Sequence, residues 1–536
     1  MAKLTFYGGI YEIGGNKILL EDEGRRLFLD FGFPFKGNKL FYEEYLRPRG
    51  GAGLLDPLTM GLLPPLEGLY REELEIPGLW QRFRNKPLYR KLDRVDAMLL
   101  SHAHQDHSGY ISFLREDIPV LSTAVTAFIA KANQDSGKAG FDQQVCYFNP
   151  VSYDCPNGWQ QTACLGDSKK KMQRQFCPMD IDLQKLGPEA TRFWEEGFWE
   201  RTKNQGEFIC APLSVCSDTR LRCFPVDHSI PGACAWGIES GSGWIIYSGD
   251  LRLHGKRSHL TEQFIEEAAR LKPRALILEG TNLRDQSSFS RGNVSEQEVY
   301  DNGLKAVTGC NNLVIADFSP RDIDRLLTFL QIARDTRRKL AILPKDAYLL
   351  KTVGLLDEQV PDIAKENSIV IYQKTTAKAD IWQRRICEEY QDKIILAGDV
   401  ASSPSQFILC FSFFDFNELP SINPKPGSLY VYSSSEPHDE EQEIDFRRLH
   451  QWLKHFGFSS FGLQTEKDGE WQIPDAEKGL HASGHACGSD LIRIAKEIKP
   501  EILIPVHSEH PELYLSSLEG SGIDITLPLL GQALEL

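Results

Sequence analysis

The sequence has no apolar run approaching the roughly 18 residues that a membrane-spanning helix needs, which excludes a helical membrane protein. Met1 to Phe6 has neither the basic nor the apolar block of a secretory leader, so a cytoplasmic protein is expected. Basic charge is scarce: 60 Lys and Arg stand against 75 Asp and Glu, for a net charge of −15. That excludes a uniformly basic surface of the kind that grips phosphates. It does not exclude a cleft in which a metal supplies the positive charge and the ligand carboxylates count within the deficit. There is no internal repeat and no low-complexity segment.

What is present is ordinary globular material, 41% hydrophobic and 25% charged. At 536 residues the chain is long enough for more than one domain and a sizeable core. Eight of the 12 cysteines lie between Cys146 and Cys234. In a reducing compartment these are thiols or metal ligands rather than disulfides. Cys146, Cys155, Cys164 and Cys177 have the spacing C-x8-C-x8-C-x12-C rather than C-x2-C, which favours buried thiols over a metal knuckle.

The first stretch alternates short apolar runs with glycine turns. Leu4 to Tyr7, Lys17 to Glu21 and Arg26 to Phe31 read as consecutive strands. Phe35 to Arg94, rich in Gly, Pro and Leu, is a long excursion expected to shape a cleft rim. Val95 to Leu100 is a buried strand, and strands recur at Arg222–Val226 and Trp244–Tyr247. From about Asn312 strands alternate with helical stretches, which implies a parallel sheet covered by helices. The strands are Leu313–Ala316, Leu340–Leu343, Ser368–Ile371 and Lys393–Leu396, with helical periodicity over Asp322–Arg334. A helix at Ser489–Lys499 and a strand at Ile502–Val506 close the pattern. An α/β module thus interrupts a first fold that resumes near the C-terminus.

The most informative hexapeptide is His102-Ala-His104-Gln-Asp106-His107, which directly follows an apolar strand. Ordinary core packing cannot satisfy three imidazoles and a carboxylate within six residues. Imidazole and carboxylate together suit zinc or manganese. Other strands end in the same residue types: Asp30, Val226-Asp227-His228, Ser248-Gly249-Asp250 and Pro505-Val506-His507. Each alone reads as an edge-of-strand polar residue. Together they repeat one event, an apolar strand delivering His or Asp at its C-terminal end, where α/β proteins place their sites.

His-x-His-x-Asp-His resembles the signature of the metallo-β-lactamase superfamily, and Asp30, His228 and Asp250 fall in the order of its remaining motifs. Gly8-Gly9-Ile-Tyr-Glu-Ile-Gly14-Gly15-Asn16 resembles the opening of the ribonuclease J group. Glu279 in Leu-Glu-Gly-Thr, His485 in His481-Ala-Ser483-Gly484-His485 and His507 in Pro-Val-His-Ser-Glu resemble the three β-CASP motifs. The resemblance implies an α/β fold: a metallo-β-lactamase αββα sandwich with an inserted β-CASP α/β domain whose parallel sheet is flanked by helices. The expected division is residues 1–280, 281–455 and 456–536, with a cysteine-rich insertion at about 141–223. It implies two divalent metal ions, zinc first and manganese second. His102, His104 and His228 would hold one, Asp106, His107 and His507 the other, and Asp250 would bridge them. Phosphodiester hydrolysis by a metal-bridging hydroxide is the implied chemistry, with Asp106, His485 and Glu279 in the catalytic set.

Two loops bear on substrate. Ser319-Pro320-Arg321-Asp322 reads as a capped helix start, with Ser319 as cap and Asp322 completing an S-x-x-D box. Its free N–H groups and Arg321 could also form an anion site. Ser483 and Gly484 can bring backbone N–H groups close to a phosphate, with His481 beside them. His485, in the Ser-Gly turn, is expected to protonate a leaving oxygen, and its ordinary pKa suits that role.

The pattern departs from the family in the cysteine-rich stretch and in the Phe35–Arg94 excursion. It also departs at the end of the sequence, where 29 residues follow His507 and leave no room for the extra C-terminal domain of ribonuclease J. The leading expectation is a ribonuclease acting on single-stranded RNA in a channel too narrow for a duplex. A DNA nuclease of the same superfamily is the alternative, and His507 argues against it, because the DNA-directed branch usually lacks that histidine. A hydrolase of small phosphate esters or thioesters has no need of so large an insert. A catalytically silent RNA-binding subunit does not need an intact ligand set. Oligomeric state is open.

Overall fold

The computed structural model describes residues 1–536 except 44, 138–143, 155–161, 166–170, 201–204, 217, 291, 376–378, 435–439 and 468–469. Two mixed sheets face one another. The first runs Phe176–Pro178, Val120–Ser122, Ala97–Leu99, Arg25–Phe31, Lys17–Asp22, Lys3–Phe6, Ala533–Glu535 in spatial order. The second runs Leu221–Pro225, Cys234–Ser240, Gly243–Tyr247, Ala275–Leu278, Ile502–Pro505, Asp524–Ile525.

Period-two alternation sorts the side chains into layers. Leu4, Phe6, Ile18, Leu20, Leu27 and Leu29 point inward and meet Trp236, Ile238, Ile245, Tyr247 and Ile277 of the second sheet. The intervening Leu19 and Phe28 point outward into a second cluster. Phe224, Ala235, Ile246, Leu276 and Leu503 cover the other outer face. There they pack on the helices Ser258–Arg270 and Gly488–Ile498 through Phe264, Ile265, Leu491 and Ile494. The result is an αββα sandwich.

The Phe35–Arg94 excursion does more than form a rim. Leu54, Leu58, Leu62, Leu63, Leu66, Leu74 and Trp80 are buried with Leu19 and Phe28, so this segment is a packing layer over the first sheet. Burial of its leucines, each worth roughly 1.5–3 kcal/mol, explains the composition.

A third sheet of seven parallel strands lies between the two halves of the second in sequence. Its order is Ile394–Ile395, Ile369–Tyr372, Lys339–Ile342, Phe407–Cys410, Val314–Asp317, Leu429–Tyr432, Ser459–Phe461. Helices flank it, as strand–crossover–strand connections require. Among the described residues no helix is long and apolar enough to cross a membrane.

Candidate metal centre

Five strands bring their C-terminal ends to one place. His102, His104, Asp106 and His107 follow Ala97–Leu99, with Asp106 and His107 on the short helix Gln105–Ser108. His228 follows Leu221–Pro225, Asp250 follows Gly243–Tyr247, Glu279 follows Ala275–Leu278 and His507 follows Ile502–Pro505. Glycine makes the approach possible: a Cβ at Gly14, whose φ is +80°, would lie 2.6 Å from the Asp106 Cβ. His507 itself holds a φ of +52°, a conformation that non-glycine residues adopt under constraint and that clusters at functional sites.

His104 Nδ1 lies 3.0 Å from His102 Nε2 and 3.1 Å from His228 Nε2. On the other side His507 Nε2 lies 3.2 Å from Asp106 Oδ2, and His107 Nε2 lies 3.7 Å from the same oxygen. One atom touches both groups. Asp250 Oδ2 is 3.0 Å from His107 Nε2, 3.6 Å from His102 Nε2, 3.8 Å from His507 Nε2 and 3.9 Å from His228 Nε2. The seven side chains expected as ligands are therefore together in two groups that meet at Asp250, and His228 and Asp250 form a third such group with His485.

The electrostatics fit a cation. Burial pushes the His102 and His228 imidazoles well down, and His104 down to about 4, so these rings are neutral with lone pairs available. Burial works against a charge on His107 too, but the carboxylates of Asp250, Asp106 and Asp30 outweigh it and push the ring well up. A positive charge is thus called for where those carboxylates converge. Among the described residues, Asp250 Oδ1 and His107 Nε2 are buried without an aligned hydrogen-bond partner. Buried polar atoms left open in this way, with an all-His/Asp donor set, suit a divalent metal.

A further shell fixes the rings. His107 Nδ1 is 2.7 Å from Asp30 Oδ2, and Asp30 also accepts from the Ser101 N–H, the Ser101 hydroxyl and the Tyr247 hydroxyl. Asp30 therefore orients a candidate ligand and, among the described residues, belongs to no metal-compatible group. Its motif position suggested a ligand, but its strand faces the back of His107. His228 donates from Nδ1 to the Gly484 carbonyl at 2.5 Å. Glu279 accepts the Leu251 N–H on Oε1 and sets Oε2 3.0 Å from His485 Nδ1. Thr281, which sequence reasoning missed, joins Glu279 Oε2 at 2.6 Å to His507 Nδ1 at 2.9 Å. Only its place in Leu-Glu-Gly-Thr pointed to it.

His485 stacks beside His507 at 5.7 Å between ring centres and lies 5.0 Å from His228. Burial opposes its charge, but Glu279 and Asp250 prevail and push its pKa up to about 9. It is therefore protonated at neutral pH without the ordinary value first expected.

The substrate-side expectations divide. Gly484 abuts His228, and among the described residues the N–H groups of Ser483 and Gly484 have no acceptor. Arg321 is half-buried, forms no ion pair among the described residues and feels the Asp106 charge. Ser319 is exposed and is not the helix cap. The helix is Ile323–Asp335, and Asp322 caps it by accepting the Arg325 N–H, because Ser319 is used in a turn through its carbonyl, 2.9 Å from the Asp322 N–H. His481 also differs from expectation. Its Nδ1 is 2.6 Å from the Ser434 carbonyl and its Nε2 is 2.9 Å from the Gly462 carbonyl. The ring ties its loop to the parallel sheet and has no nitrogen left for a phosphate.

Cys146 and Cys177 are buried thiols, with burial pushing Cys177 up to about 11. Cys164 falls in the strand Thr162–Leu165, and Cys155 lies outside the described residues. Among the described residues no cysteine joins a metal-compatible group.

Comparison with known proteins agrees with this geometry. Residues 475–528 match the Zn-dependent metallo-hydrolase RNA specificity domain. The chain is 21% identical over 513 residues to Ribonuclease J of Mycolicibacterium smegmatis, covering 94% of this chain and 68% of that protein. It is 20% identical over 518 residues to Ribonuclease J of Helicobacter pylori, covering 95% of this chain and 56% of that protein. A crystal structure of a protein of unknown function from Enterococcus faecalis superposes with a TM-score of 0.62 at 20% identity, covering all of both chains. Along nearly its whole length the chain is similar to these ribonuclease J proteins, and its αββα sandwich with an inserted parallel sheet is a metallo-β-lactamase-type fold.

Proposed function

We propose that this chain is a metal-dependent ribonuclease that hydrolyses phosphodiester bonds of single-stranded RNA. One observation carries the reading: Asp250 Oδ2 lies within 3.9 Å of the Nε2 atoms of His102, His228, His107 and His507, the placement of a carboxylate shared by two metal sites. His102, His104 and His228 would hold one divalent ion, and Asp106, His107 and His507 the other, with zinc the first candidate and manganese the second. When bound, such a pair supplies Lewis-acid stabilisation of phosphate charge and acidifies water at neutral pH.

The remaining work falls to the chain. Glu279 orients His485 through Nδ1. That leaves Nε2 to donate a proton to the leaving oxygen as the P–O bond breaks, a contribution of roughly 10²–10⁴ in rate. The N–H groups of Ser483 and Gly484 and the Arg321 guanidinium offer donors for non-bridging phosphate oxygens. The described cysteines are free thiols, which suits the reducing cytoplasm.

The test is to incubate purified protein with end-labelled single-stranded RNA and DNA of one sequence, with zinc or manganese, and to read product lengths. RNA shortened and DNA untouched supports the reading. DNA cut at equal or greater rate assigns the chain to DNA instead, and no cleavage of either rejects it.

A further inference from the structure

We propose that Tyr11 and Phe35 form a base-stacking platform for the nucleotides beside the scissile phosphate; this rests on the ribonuclease reading above. Tyr11 is at the apex of a glycine loop whose two feet stand on candidate ligands. At one foot the Gly9 carbonyl accepts the His507 N–H at 2.8 Å. At the other, Gly14 is pressed against Asp106 so closely that a Cβ would lie 2.9 Å from Oδ2. Glu12 bridges to Ser508, next to the Gly9–His507 contact. Tyr11 nevertheless keeps 44% of its surface exposed and holds a φ of +52°. A bulky side chain in the left-handed region is an outlier that a well-packed loop would replace with glycine.

Phe35 borders the same end of the centre. The Phe33 N–H donates to the Gln105 carbonyl, one residue before Asp106. The Gly15 backbone abuts Pro34. The Phe33 and Phe35 rings meet edge-on at 5.0 Å, and Lys36 pairs with Glu509 at 2.9 Å. Phe35 is 40% exposed. Both exposed rings are thus carried on backbone segments tied to the Asp106 and His507 side of the cluster.

The net charge of −15 excludes a uniformly basic surface that would grip the phosphate backbone away from the metal cleft. Stacking on aromatic faces needs no charge, tolerates any base and requires unpaired bases. A duplex, whose bases are already stacked, gains nothing from it. The platform therefore recognises single-stranded RNA and holds it where the metal centre can act.

The experiment measures KM and kcat on a single-stranded RNA for the metal-loaded wild type, Tyr11→Ala, Phe35→Ala and the double variant, with RNA binding followed by fluorescence anisotropy. Tyr11→Ala should weaken binding and raise KM roughly 5- to 150-fold, with a smaller change in kcat. Tyr11→Trp should restore binding, whereas Tyr11→Leu, apolar but not aromatic, should not. Wild-type RNA cleavage together with unchanged KM in the double variant overturns the platform and leaves the ribonuclease reading standing. Restoration by leucine equal to that by tryptophan overturns stacking as the mechanism. If the wild type neither binds nor cuts RNA, the ribonuclease reading fails and the platform falls with it.

Discussion

The Thr281 hydroxyl lies 2.9 Å from Nδ1 of His507. A hydroxyl has one proton to give, and the 2.6 Å contact to Glu279 Oε2 takes it. Thr281 must therefore accept from His507 Nδ1–H, which leaves the Nε2 lone pair on the side of Asp106. Tautomer control of this kind is typically worth 10–100-fold in metal affinity. Thr281→Val should lower affinity by about that factor in a chelator competition, and Thr281→Ser should restore it. Equal metal affinity in the valine variant would show that His507 is set by other contacts.

Glu279 should govern the alkaline limb of the pH–rate profile. The protonated form of His485 is the donor, and its pKa is pushed up to about 9 by Glu279 and Asp250 against the opposing effect of burial. Rate is therefore retained below that value and lost as pH rises through it. Glu279→Gln removes a charge that raises the pKa, so the limb should move toward neutral pH. His485→Ala should retain its metal and lose roughly 10²–10⁴-fold in rate. Loss of metal in His485→Ala would place this residue among the ligands.

Asp30→Ala should weaken metal binding without touching a proposed ligand. It strips His107 Nδ1, the Ser101 hydroxyl and the Tyr247 hydroxyl of their shared acceptor. Each buried donor left open costs about 1–3 kcal/mol. A lower thermal midpoint and a reduced metal content are expected together. A variant with full metal and an unchanged midpoint would contradict the assignment.

Arg252 ties the centre to the inserted sheet. It is fully buried and lies 3.3 Å from Asp227 Oδ1, 2.7 Å from Asp324 Oδ2 and 3.3 Å from the Ser483 carbonyl. Its partners come from a strand end beside His228, from the helix Ile323–Asp335 and from the loop carrying His485. Removing one member of a buried ion pair typically costs about 3–5 kcal/mol. Arg252→Met should therefore lower the thermal midpoint by several degrees. An unchanged midpoint would show that the two parts are held together elsewhere.

The strand-end ligands were legible because each is a local event, an apolar run stopped by His or Asp, and the structure repeats it at Ala97–Leu99, Leu221–Pro225, Gly243–Tyr247 and Ile502–Pro505. The helix start at Ser319 was misread by three residues, because Ser and Asp cap equally well and only tertiary packing chose Asp322. The His481 contacts could not be foreseen, since Ser434 and Gly462 come from distant segments with no pattern linking them. Arg252 was invisible for the same reason, and only its place two residues after Glu279 hinted at Thr281. The excursion read as a rim because its glycines and prolines break periodicity, although its leucines pack as a layer.

The central claim is that Asp250 is shared by two metal sites that together hydrolyse RNA. The direct measurement is the metal content per chain of the wild type and of Asp250→Asn by elemental analysis, read alongside cleavage of single-stranded RNA by the same preparations. Two divalent ions per wild-type chain are predicted, with depletion at both sites and loss of cleavage in the variant. A variant that keeps both its metal and its ribonuclease activity, or a wild type that cuts RNA with no metal bound, would contradict it.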